Sequence, residues 1–287
     1  MKLVRDAPAP DIAPACLYWY CDVKRVAAAH IARLCEGFLV DWGQIATVGL
    51  GYLIAGAVKG ATGLGYSTTA LPILTFGIGL RAAMPLVLIP SMASNFAIML
   101  SAGHFWQTVR QFALLYVSLV PGLALGLAML LYVDQDLAAG MLGLVLVTYA
   151  IFTFCQPNLV LPVRLHGPLQ IPVGLMNGFI NGLTGSQIMP LAPFMLSLRL
   201  DPNRFVQAIN IAFTLSSLVM MLGLSRSGLL TWNGLAISVA GIGPTLVGAW
   251  LGGRLRQRMP AAGFRRLVLC ALFVLGLLLA SRLFGHS

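Results

Sequence analysis

The sequence predicts an all-α integral membrane protein: a polytopic bundle of about 8–10 helical segments, built from two inverted repeats with glycine-broken helices. Three observations carry that prediction. Only 9% of the 287 residues are charged and mean hydropathy is +0.89, whereas a soluble domain carries roughly a quarter charged residues. Uncharged runs of membrane length follow one another from residue 42 to residue 281, and a bilayer core about 30 Å thick needs about 20 helical residues per crossing. The pattern Gly-x-x-x-Gly-x-Thr-Gly occurs at residues 56–63 and again at 178–185, an offset of 122. The alternating strands of an outer-membrane barrel are missing from the pattern.

Residues 1–42 are mixed and Pro-containing, with no continuous apolar stretch after the first charges, so they do not resemble a cleaved signal peptide. They are expected to be an N-terminal extension, partly flexible, with Leu17, Tyr18, Trp19 and Tyr20 suited to the headgroup level. The first transmembrane repeat is expected over 43–155, with apolar segments at about 43–58, 61–80, 82–103, 111–133 and 137–155. A connecting loop over 156–167 leads to the second repeat, 168–285. Its segments are expected at about 168–183, 186–199, 205–225, 231–252 and 265–284. The 34-residue uncharged run 165–198 is too long for one ordinary helix and must bend back or break. Asp201 and Pro202 read as an N-cap followed by a first-turn proline.

An odd number of crossings per half inverts the second half relative to the first. Loop charge agrees with inversion. The fourth and fifth segments are joined by Asp134 and Asp136 in the first half, and by Arg254, Arg256, Arg258, Arg265 and Arg266 in the second. The positive-inside rule then puts the arginine connection in the cytoplasm and the acidic one outside. The net charge of +10 is spread between apolar segments and forms no soluble basic domain, so the expected partner is the lipid bilayer and not nucleic acid. Five scattered cysteines suggest neither a disulfide framework nor a metal site, and no cofactor is expected. A homo-oligomer is compatible with all of this.

The paired glycine motifs hold the candidate chemistry. Glycine inside a helix costs ~1 kcal/mol relative to alanine, so the clusters mark natural breaks. Broken backbone at membrane depth is tolerated where it is buried in protein or lines a cavity, and transporters use half-helix N-termini near the midplane to hold anions, so the anion is expected to bind at a midplane site between the two glycine-broken elements. The candidate substrate-binding residues are Lys59, Gly60, Thr62, Gly63, Gly65, Ser67, Thr68 and Asn95 in the first half, with Asn181, Gly182, Thr184, Gly185, Ser186 and Gln187 in the second. For the Gly-x-x-x-Gly pairs a second reading stays open, plain helix packing. Lys59 reads either as a lysine snorkelling to the interface or as a buried cation facing an anion. After Asp41 the remaining carboxylates, Asp134, Asp136 and Asp201, all fall between segments. A cation pathway would normally place acids inside the bundle, so a small anionic solute is the expected cargo.

The stretch GAVKGATGLGYSTTALPIL and the later GFINGLTGSQIMPLAPFML resemble the sulfite exporter TauE/SafE family, also called the 4-toluene sulfonate uptake permease family. The resemblance covers about residues 45–285. It implies a multi-pass transporter of the bacterial inner (plasma) membrane for small sulfur oxyanions such as sulfite or sulfonates, with its glycine marks at Gly56, Gly60, Gly63, Gly65, Gly178, Gly182 and Gly185. Tyr66–Ser67 and Ser186–Gln187 depart from the denser glycine clusters usual in the family, which leaves the solute open, another small carboxylate included. No nucleophile–base pair, metal-binding motif or intramembrane carboxylate suggests an enzyme, and the duplicated polar breaks argue against a non-transporting scaffold.

Overall fold

A computed structural model describes residues 42–155, 160–258 and 261–283. Among them the chain is helical without strands. In order the helices are α1 (Trp42–Thr62), α2 (Tyr66–Ile78), α3 (Leu80–Ala102), α4 (Phe105–Gln111), α5 (Ala113–Tyr132), α6 (Gln135–Cys155), α7 (Gln170–Thr184), α8 (Leu191–Ser197), α9 (Pro202–Arg226), α10 (Trp232–Ala240), α11 (Ile242–Arg258) and α12 (Ala261–Ala280). From Ala46 onward they form one compact unit. The expected extension over 1–42 lies, up to its last residue, outside the described residues.

Seven helical stretches among the described residues are long and apolar enough to cross a membrane: α1, α3, α5, α6, α9, α10 with α11, and α12. Helices α2, α7 and α8, at 13, 15 and 7 residues, fall short of that length. The uncharged run 165–198 breaks after Thr184 and resumes as α8, as its length requires. Helix α9 starts at Pro202 behind Asp201, whose side chain makes no capping hydrogen bond.

The distribution of polarity is that of a protein solvated by lipid. Val117 is 72% exposed, Leu100 69% and Leu267 64%, whereas Asn177, Asn181, Gln207 and Asn210 are fully buried. Apolar side chains outside and amides inside invert the soluble arrangement. Lacking a hydrophobic drive between helices, such a bundle packs through small residues that let backbones approach. Helix α7 runs parallel to α5: a Cβ on Gly174, Gly178 or Gly182 would strike the carbonyl of Leu115, Leu119 or Leu123 in turn. Helix α1 runs parallel to α11 in the same way, Gly56 against the Thr245 carbonyl and Gly60 against that of Ala249. Each seam joins a helix of one expected half to a helix of the other.

Other contacts set direction. Gly51 lies beside Leu74 and Gly77 beside Thr47, so α1 and α2 form an antiparallel hairpin. Helices α6 and α12 are antiparallel too, with Gly143 against Gly276 and Ala280. Arg282, just past α12, pairs with Asp136 at the start of α6 (3.2 Å). Arg81 donates to the Leu130 and Val133 carbonyls at the end of α5 (2.9 and 2.7 Å), where a cation meets the negative pole of the helix. The acidic α5–α6 connection therefore sits at one end of α12, and the end carrying Arg266 in the second turn of α12 at the other.

Candidate functional site

The two Thr-Gly steps end their helices in the same way. Thr62 Oγ1 donates to the Val58 carbonyl (2.8 Å) and accepts from the Leu64 N–H (3.3 Å). Thr184 Oγ1 donates to the Ile180 carbonyl (2.7 Å) and accepts from the Ser186 N–H (3.3 Å). Gly63 and Gly185, at φ +79° and +74°, each donate their N–H to the carbonyl four residues back, that of Lys59 or Asn181 (2.7 Å in both). Left-handed glycine is the usual C-terminal stop. Both motifs are thus carbonyl ends, and amide donors belong to whatever follows.

Each break lies within the length of a neighbouring candidate span. Gly182 sits at the level of Leu123 and Leu127 on α5, which runs on to Tyr132. Gly60 sits at Ala249 on α11, within the span that runs to Leu255. Each break is therefore about a turn or two short of the end of its neighbour. The first falls later than apolar run lengths suggested, since α1 continues through Lys59 and Gly60 to Thr62. Close packing of Gly56 and Gly60 on α11 offsets their poor helix propensity. Lys59 is consequently in the last turn of a helix and not between segments.

After the first break, α2 begins behind Gly65 (φ +85°) without a side-chain cap. Its opening turn borders a cavity of about 360 Å³, lined by Thr62, Gly65, Thr68 and Thr69, by Tyr149 and Thr153 of α6, and by Ala192 and Pro193 of α8. Thr69 is 5% exposed and its hydroxyl has no partner. Tyr66 is tied through its hydroxyl to Thr245 of α11 (2.9 Å), which fixes the N-terminus of α2. Behind that turn runs a buried polar chain. Lys59 Nζ donates to Asn95 Oδ1, Asn95 Nδ2 to Ser91 Oγ (3.4 Å), and Ser91 meets Ser67 (2.9 Å).

After the second break the backbone is irregular through Ser186, Gln187, Ile188 and Met189. Asn177 Nδ2 donates to the carbonyls of Gln187 and Met189 (2.9 and 3.0 Å), and Gln187 Nε2 donates to Ser217 Oγ on α9 (3.1 Å). A Cβ on Gly185 would meet Leu71 of α2 at 2.9 Å and Met84 of α3 at 3.3 Å, so this break also packs on α2.

The expected site residues thus fall into three groups. Thr62, Gly65 and Thr68 line the cavity; Lys59, Asn95 and Ser67 form the buried chain beside it; Asn181, Thr184, Gly185, Ser186 and Gln187 surround the second break. Gly60 and Gly182 lie in helix seams, and Gly63 closes α1. Thr69, one of the hydroxyls expected beside the first break, is buried there, whereas sequence reasoning missed Thr153, Asn177, Gln207 and Asn210, all buried. A signal existed for some: Asn177 and Asn181 are four apart, and Gln207, Asn210, Thr214 and Ser217 share one helical face.

Interrupted helices, polar groups gathered inside an apolar exterior and a cavity at a helix start define a polytopic α-helical membrane protein built on transporter principles. The chain belongs to the sulfite exporter TauE/SafE family, whose sequence profile matches residues 48–279. At family level that makes it a membrane transporter of sulfur anions. Comparison with curated proteins and with solved structures gives no significant match.

Proposed function

We propose that the protein carries small sulfur oxyanions, such as sulfite or sulfonates, across the inner membrane, and that the first turn of α2 is where the anion binds. The observation that carries this reading is the uncapped N-terminus of α2 opening on a cavity beside the unpartnered hydroxyl of Thr69. Free N–H groups and the positive pole of a helix favour an oxyanion by up to ~2 kcal/mol when partly buried. Thr68 and Thr62 add hydroxyls to the same hollow. Among the described residues no carboxylate lines it. Lys59, held by Asn95 behind the opening turn, raises the potential without closing the cavity.

The third group of expected residues, around the second break, belongs to the same transport machinery and comes from the other expected repeat. The matched helix ends and the reciprocal seams, α1 on α11 and α7 on α5, support reading residues 43–155 and 168–285 as an inverted pair. With the arginine connection in the cytoplasm, the two breaks approach α2 from opposite faces of the layer.

Counterflow of labelled sulfite in proteoliposomes tests the proposal. Trans-loaded sulfite should accelerate uptake of label, and short-chain sulfonates should compete. Absence of flux for sulfite and for every sulfonate tried would defeat it.

A further inference from the structure

We propose that the second break is a sodium site. The groups left unpartnered around it are chiefly oxygens. Asn177 spends its amide hydrogens on two backbone carbonyls, so its free atom is Oδ1. Gln187 spends Nε2 on Ser217, so its free atom is Oε1. Ser186 Oγ and both amide atoms of Asn181 are also without partners. Every one of these residues is less than 5% exposed. An anion would meet few free donors here. A cation would meet several oxygens, together with the carbonyl end of α7 and its partial negative charge. Unwound backbone and helix C-termini are what membrane transporters offer sodium. A divalent ion would call for carboxylates, and among the described residues none is present in this cluster, so the bound cation is monovalent.

The first half holds the second, independent argument. Under the offset that aligns the two Thr-Gly steps, Asn181 matches Lys59 and Ser217 matches Asn95. Lys59 and Asn181 occupy the same place in their helices, since each lends its carbonyl to the glycine that stops the chain. In the first half a tethered ammonium donates to the amide of Asn95. In the second half the tether is absent while the oxygens remain. An exchangeable cation there fills the place that the lysine ammonium fills in its counterpart.

Coupling rests on the anion reading above. A sodium ion moving with a monoanion makes transfer electroneutral and removes the penalty of ~2.3 kcal/mol per charge per 100 mV that a negative-inside potential sets against uptake. Sodium binding itself does not depend on that reading, and this separates the two in experiment.

The purified full-length protein is melted in detergent in 100 mM sodium, potassium or choline chloride. Sodium should raise the melting temperature by roughly 3–5 °C over choline, as an ion that binds the folded state does. Asn181→Lys supplies its own ammonium and should melt alike in all three salts. Should that variant fail to fold, Gln187→Ala decides: without the Ser217 hydrogen bond it melts lower than wild type in every salt, yet sodium must no longer raise its melting temperature over choline. Equal melting of wild type in the three salts overturns the site, as does an undiminished increment in Gln187→Ala. Sulfite counterflow should then require sodium in wild type and not in Asn181→Lys. A sodium increment without flux of any sulfur oxyanion would leave the sodium site standing and remove the anion reading alone.

Discussion

Two side chains in the first half separate binding from folding. Thr69 is buried with an idle hydroxyl, and an unmet polar group costs about 1–3 kcal/mol. Replacing it by the near-isosteric valine removes that cost together with the ligand's donor. Thr69→Val should therefore melt as high as wild type or higher, while its half-saturation for sulfite rises about tenfold, roughly 1.4 kcal/mol of binding. A hydroxyl with a purely structural role would give the opposite pair of results. Lys59 makes a different case, because its ammonium is already engaged by Asn95. Lys59→Met strands that amide oxygen and removes a buried charge, two changes of opposite sign for stability. What should change clearly is sulfite half-saturation, about tenfold upward. An unaltered value in a folded variant would confine Lys59 to holding α1 against α3.

At the level of elements, the glycines divide by what they touch. Gly178 faces the Leu119 carbonyl of α5, and that backbone cannot give way. Gly49, also helical, has nothing within 4 Å of where a Cβ would stand. One substitution should thus have two signs. Gly49→Ala gains about 0.5–1 kcal/mol of helix propensity, whereas Gly178→Ala loses about 1–3 kcal/mol by forcing α5 and α7 apart, and thermal unfolding of the two variants reads the contrast. The same residues explain how far the sequence could be read. The stops at Gly63 and Gly185 were legible because Thr-Gly recurs in register. Which pole each stop exposes was not, since a left-handed glycine leaves no separate mark for helix end and helix start. Lys59 was set between segments because a charge interrupts an apolar run. Its helix continues because Gly56 and Gly60 lie on α11, a contact nearly two hundred residues away in sequence. Asn177 escaped for the same reason: only the fold shows that the backbone it serves returns past it.

For the whole molecule, the arrangement of charge about α12 yields a test of orientation that needs no substrate. The Arg282–Asp136 pair is partly exposed and contributes little stability, yet it marks which end of α12 meets the α5–α6 connection. Helix α12 has 20 residues, enough to rise about 30 Å, so the end of α11 carrying Arg254 and the start of α12 carrying Arg266 lie on the opposite face. The positive-inside rule puts that face in the cytoplasm. In a background with the five cysteines replaced, Gln135→Cys should react with an impermeant maleimide in intact spheroplasts. Arg254→Cys, whose parent side chain is exposed, should react only after lysis. Labelling of both from one side would contradict the helix directions themselves. Labelling on opposite sides in the reverse sense would keep the architecture and turn the protein over, placing the cavity beside α2 nearer the outer face and the proposed sodium site nearer the cytoplasm. The expected outcome puts them the other way about: the break after α7 lies toward the outside, where sodium is abundant, and the α2 start toward the cytoplasm. Sodium would then enter its site down its gradient before the anion path changes face, the order that inward coupling requires.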